Sequence, residues 1–217
     1  MGDPLPWLAA PADAPLLWSN GRPVSRAAFA AAACGLAQRL PEAGSTLNHC
    51  HTRAGFLLAL VASALRRLPC RLAAPDDARP SRGTMQQPVC VLAEDARSAD
   101  VPVPPIAPES DGASRPPAWA PDGPFAIVST SGSTGQPRAH PKTWLTLSHA
   151  ARQIAARLLP TQPARIVATV PMHHMYGLET SVILPLVTLH SVVESRPAFP
   201  QDVRTALESV DAPRVLV

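Results

Sequence analysis

Apolar residues fall in short runs along this chain, separated by turn-forming stretches. Leu16-Leu17-Trp18 is followed by Ser19-Asn20-Gly21-Arg22-Pro23, which predicts a strand and then a turn. Ser25 stands where it would cap a helix from about Arg26 to Leu40, rich in alanine and closed by Pro41. Ser45–Asn48 predicts a short strand. A helix is then expected from about Thr52 to Arg67, because Leu57, Leu58, Val61 and Leu65 recur at helical spacing. Arg66-Arg67 sits where cations favour a helix C-terminus, and Leu68–Leu72 reads as a return strand.

The pattern loosens over residues 73–124, which are dense in proline, aspartate, serine and arginine; only Pro88–Leu92 reads as a strand there. Order resumes with Phe125–Ser129, a compact strand running into a turn of hydroxyls and glycines. A helix is expected over Thr143–Leu159 and a strand over Arg165–Val170. Val182–Leu189 is apolar but contains Pro185, so it fits helix or strand. Asp202–Val210 reads as a short amphipathic helix and Arg214–Val217 as a strand. Strands alternating with helices predict an α/β fold with a largely parallel sheet. The expected organisation is an N-terminal α/β subdomain over 1–72, a Pro-rich connector with one short strand over 73–124, and a further α/β segment over 125–217.

Composition narrows the functional classes. Hydrophobic residues make up 46% of the 217, enough for a folded core, but aromatics are only 4%, so aliphatic side chains must fill it. The 27 prolines exclude an all-helical protein. The net charge is +3 and the basic residues are scattered, with Lys142 the only lysine, so no nucleic-acid footprint is expected. Cys34, Cys50, Cys70 and Cys90 form no Cys-x-x-Cys pair, which predicts free thiols in the cytoplasm. The N-terminus lacks a basic region followed by an apolar stretch. The apolar run Gly55–Leu65 is too short to span a bilayer.

The chemistry concentrates in Ser129-Thr-Ser-Gly-Ser-Thr-Gly-Gln-Pro-Arg138. Gly132 and Gly135 let the backbone turn sharply and approach a ligand. Thr130, Ser131, Ser133 and Thr134 supply hydroxyls, the backbone N–H groups of such a turn can form an anion nest, and Arg138 adds a fixed positive charge. These parts suit a polyphosphate. The string is not a Walker loop, since its glycines are three apart and no lysine follows Gly135.

Phe125–Arg138 resembles the phosphate-binding signature of the adenylate-forming (AMP-binding) superfamily, whose members include acyl-CoA synthetases. The usual form is Thr-Ser-Gly-Ser-Thr-Gly-x-Pro-Lys-Gly; here Arg138 stands for the lysine and Ala139 for the glycine. Pro171-Met-His-His-Met-Tyr-Gly-Leu178 resembles the family's next signature and follows in the expected order. In the family that histidine borders the acyl pocket, and His174 is the residue that maps to it. Adjacent histidines rarely chelate one ion, so neither His173-His174 nor His49-Cys50-His51 is expected to be a metal site. The stretch from Asn48 to Pro75 is similar to the first sheet layer of compact bacterial members.

The resemblance implies the large N-terminal domain of an adenylate-forming ligase, incomplete here. A carboxylic acid would be activated with ATP and Mg2+ as an acyl-adenylate, then passed to a thiol, usually coenzyme A. A fatty or aromatic acid is a reasonable substrate. Thr130, Ser131, Gly132, Ser133, Thr134, Gly135 and Arg138 would bind the nucleotide, and His174 would serve the catalytic centre. The family's later segments, including its small C-terminal domain and adenylation lysine, have no counterpart here. The expectation is therefore a fragment, inactive alone, completed by a separate chain or reduced to a noncatalytic nucleotide- or partner-binding remnant.

Overall fold

The computed structural model describes residues 11–73, 89–107, 123–130 and 138–217. The fold is mixed α/β, with two sheets sharing one apolar core. The first sheet begins with a hairpin, β1 (Pro15–Ser19) and β2 (Arg22–Ser25). Its turn places Asn20 and Gly21 at φ 51° and 74°, the left-handed region that Asn and Gly tolerate best. The remaining strands are β9 (Arg165–Val167), β10 (Ser191–Val193) and β11 (Arg214–Leu216), giving the order β11-β9-β10-β1-β2. All neighbours pair in parallel except β1 with β2.

The second sheet holds β3 (Ser45–Asn48), β4 (Cys70–Leu72), β5 (Val89–Ala93), β6 (Val101–Pro102), β7 (Pro124–Thr130) and β8 (Arg138–Thr143), ordered β6-β5-β3-β4-β7-β8. It too is parallel except for its last pair, β7 with β8. The region expected as connector thus contributes two strands, β5 and β6, of which only β5 was expected. β2, β8 and β10 are further strands beyond those expected. Pro141 does not break β8 because β8 lies at the sheet edge, where a missing N–H costs no ladder bond.

Three long helices start at hydroxyl caps. Ser25 accepts a hydrogen bond from Ala28 N at α1 (Arg26–Gln38), Thr52 from Gly55 N at α2 (Arg53–Leu65), and Thr143 from Thr146 N at α3 (Trp144–Leu158). α2 is buried along nearly its whole length, as expected of a helix apolar all round. The Glu94 carboxylate, just after β5, locks its N-terminus by accepting from His51 N, Thr52 N and Thr52 Oγ1. Thr46 Oγ1 on β3 donates to Ser63 Oγ on α2 at 2.7 Å. Val182–Leu189, open between helix and strand in sequence, lies mostly within helices: a π-helical segment (Leu178–Ile183) runs into α5 (Leu184–Val187). A three-residue turn, α4 (Met175–Gly177), precedes it, and α6 (Pro200–Glu208) follows β10. No described helix is long and apolar enough to cross a membrane. Cys34, Cys50 and Cys70 are buried free thiols and Cys90 is a half-buried one.

Candidate active site

The hydroxyl- and glycine-rich motif begins on β7 and ends on β8, which pair antiparallel. Thr130 and Arg138 are register partners, at the end of a ladder that runs back through Ser129 with Ala139 and Val128 with His140. Residues 131–137, and with them Ser131, Gly132, Ser133, Thr134 and Gly135, lie outside the described residues. The neck of the loop is therefore defined at both ends, and Arg138 is exposed there. Arg138, His140 and Lys142 alternate along β8 and so share one face of it.

From β8 the chain enters α3, and α3 packs on the π-helical segment and on α5. This joins the two motifs: the strand that closes the phosphate loop leads into the helix that supports the histidine signature. Charge repeats the connection. Burial holds the Glu179 carboxyl, in the π-helical segment, above the usual range, while Lys142 on β8 pulls it down.

The signature itself, residues 171–178, is a tight turn at the C-terminal end of β9. His174 N donates to Pro171 O at 3.3 Å, and Leu178 N donates to His174 O at 2.7 Å. His174 is the N-cap residue of α4, exposed, with its ring edge-on to that of His173 at 4.4 Å between centroids. Gly177 is demanded by close approach and not by backbone conformation, since its φ is −65°. A Cβ there would lie 2.0 Å from Pro171 O. Beyond it the ladder widens to π spacing. Thr180 Oγ1 donates to Tyr176 O and Ser181 Oγ to Gly177 O, both at 2.7 Å, satisfying carbonyls at the start of that segment.

Arg53 is a contributor that motif matching misses. It is fully buried, and burial lowers its guanidinium to about 10. Nη1 donates to Ser181 Oγ at 2.5 Å and Nη2 to Ala168 O at 3.3 Å. One signal was available in the sequence: a cation in the first turn of an apolar helix opposes the helix dipole and needs a reason to be there. Among the described residues no group of three or more His, Cys, Asp or Glu could hold a metal ion. A cleft of about 780 Å³ at the C-terminal ends of β1 and β10 is lined by Trp18, Glu194 and Arg196 among others, and by none of the expected site residues.

The largely parallel α/β frame carries both sequence motifs, one bordered by the β7–β8 pair and the other in the histidine turn, on elements linked through α3. The family model for AMP-binding enzymes matches residues 23–215, and the chain belongs to that family. Over 70 residues it is 41% identical to the 4-coumarate–CoA ligase of Halorhodospira halophila, a match covering 32% of this chain and 17% of that protein. Over 119 residues it is 35% identical to the sulfoacetate–CoA ligase of Cupriavidus necator, covering 53% and 23% respectively. Among solved structures, O-succinylbenzoate coenzyme A synthetase from Bacillus subtilis in complex with AMP superimposes with a TM-score of 0.78 at 17% identity, covering 96% of this chain and 60% of that one. ATP-bound MatB from Rhodopseudomonas palustris gives 0.70 at 14%, covering 96% and 48%. These likenesses establish the fold; the chain spans 60% of the B. subtilis synthetase, and its matches cover 17% and 23% of the two ligases.

Proposed function

We propose that this chain supplies the phosphate-holding part of a ligase that activates a carboxylic acid with ATP as an acyl-adenylate, for transfer to coenzyme A. The observation that carries the reading is the hairpin neck, with Arg138 exposed opposite Thr130 and the hydroxyl- and glycine-rich residues 131–137 between them. In this reading Thr130, Ser131, Ser133, Thr134 and Arg138 bind the β- and γ-phosphates, and Gly132 and Gly135 let the backbone close on them. Arg138 keeps the charge of the usual lysine and adds a planar donor fork suited to phosphate oxygens. Magnesium arrives with the nucleotide and shares the phosphate charge. His174, exposed on its turn, faces the acid. Most of the barrier to acid attack on the α-phosphorus is met by positioning two anions and stabilising the departing pyrophosphate.

The named relatives act on coumarate and sulfoacetate, and the structural neighbour on O-succinylbenzoate. An organic acid, aromatic or fatty, destined for a coenzyme A thioester fits this company. A second reading is a nucleotide- or partner-binding module of the same family with no turnover of its own, or one completed by a separate chain.

Calorimetric titration of the purified chain with Mg-ATP tests the shared part of both readings, and saturable binding is expected. A folded chain that binds neither Mg-ATP nor pyrophosphate overturns it. Carboxylate-dependent ATP–pyrophosphate exchange then separates the two, since the module reading expects none from this chain alone.

A further inference from the structure

We infer that Arg53 is a positioning residue for the histidine turn, holding residues 168–181 in the shape that presents His174. This inference rests on the proposed role of His174, but its geometry stands apart from it. Arg53 comes from α2, whose cap Thr52 is bonded to Glu94 just after β5 and whose last turn is bonded to β3 through Ser63, so the helix belongs to the second sheet's layer. Its two bonds reach the other sheet's layer, on either side of the turn: Ala168 O lies just after β9, and Ser181 Oγ lies in the π-helical segment after Gly177. Ser181 Oγ passes the contact on by donating to Gly177 O at 2.7 Å. One guanidinium thus clamps the entry and the exit of the turn whose interior bonds are His174 N to Pro171 O and Leu178 N to His174 O.

Placement argues for this role over simple packing. A core position filled for packing alone would carry an apolar side chain, as its neighbours Phe56, Leu57 and Leu60 do. Burying a guanidinium is costly, and Arg53 Nε is left without a hydrogen-bond partner. A planar fork that donates to two acceptors at once is what arginine offers and methionine or lysine does not. The π-helical segment needs such help, because its wider ladder is less favourable than an α-helix and occurs mostly where a site requires it.

The test is residue-resolved amide hydrogen exchange and the His174 ring resonance, measured by NMR on the whole 217-residue chain. Arg53→Met, Arg53→Lys and Ser181→Ala are compared with the unmodified protein. In Arg53→Met the amides of His174 and Leu178 are expected to exchange at least about tenfold faster. Amides of α1 should stay within about twofold, and the His174 ring signal should move toward that of a free peptide. Arg53→Lys should restore protection only in part. If Arg53→Met does not fold, Ser181→Ala carries the test, with faster exchange expected at the same two amides. The inference is overturned if those amides and the ring signal are unchanged in a folded variant, or if exchange rises equally throughout the chain. Mg-ATP binding by the unmodified chain is measured in parallel. A wild-type chain that fails to bind ATP defeats the proposed function while leaving the exchange result to judge Arg53.

Discussion

Thr130 and Arg138 face each other across the last rung of the β7–β8 ladder, so residues 131–137 are tied at both ends to a paired strand. A loop whose two ends are paired in this way pays less closure entropy on ordering around a ligand. Arg138 sits on the edge strand, exposed and next to the loop, and the strand positions its backbone whatever its side chain does.

Arg138→Ala should therefore weaken Mg-ATP binding without unfolding the chain. A charge-assisted contact of this kind contributes about 1.5–3 kcal/mol, or roughly ten- to a hundredfold in affinity. Arg138→Lys should keep much of it, since the charge remains and only the fork is lost. Calorimetry on both variants, with thermal melting as control, decides the matter. Equal affinity in wild type and Arg138→Ala would remove Arg138 from the site.

The elements that could be read from sequence were those with local punctuation. Ser25 announces its helix because a cap is a contact between near neighbours, while Thr52 and Thr143, read as first helical residues, prove to be caps as well. The phosphate-loop hairpin was half legible: β7 is an apolar strand, but β8 is polar and contains Pro141, and only its edge position makes a strand of it. β6 and β10 are two and three residues long, below the reach of any periodicity. Val182–Leu189 is buried on every side up to Leu186, so neither helical nor strand period shows. The odd placement of Arg53 shows in the sequence, but its partners do not: Ser181 and Ala168 lie 128 and 115 residues away, and only the tertiary fold brings them together.

Buried thiols give the chain an alkaline limit. Burial pushes Cys70 up to about 11 and raises Cys50 further, with Glu94 and Cys70 adding to the effect on Cys50. A thiol whose folded pKa exceeds its unfolded one keeps its proton longer in the native state. Its stabilising contribution is complete below the ordinary thiol pKa of about 8.5 and is lost as pH rises toward the folded value. Urea unfolding should show stability falling between pH 8 and 9.5, by up to about 1.4 kcal/mol per pH unit for each such thiol once the ordinary pKa is passed. Arg26 and Arg53, lowered to about 10, begin to titrate in the opposite sense only toward the top of that window. A Cys50→Ala, Cys70→Ala double variant should lose distinctly less over the same interval. An identical decline in both proteins would show that these thiols are not its source.

Gly177 offers the sharpest steric test of the histidine turn. Its φ of −65° would accept any residue, so conformational freedom is not what the position needs. What forbids a side chain is the backbone of Pro171: an added Cβ would meet its carbonyl oxygen at 2.0 Å and its carbonyl carbon at 2.8 Å. Neither atom belongs to a flexible side chain that could swing aside, so the whole 171–177 turn must open. Overpacking of this kind costs about 1–3 kcal/mol, which for a chain of this size lowers Tm by roughly 2–12 °C. Opening the turn also strains the Leu178 N to His174 O bond and the contact of Ser181 Oγ with Gly177 O, so the damage should centre on His174. Gly177→Ala is therefore expected to melt earlier, and to lose amide protection at His174 and Leu178 first. Unchanged melting and protection would mean that the turn has slack, and that the close approach of Gly177 to Pro171 does not hold His174 in place.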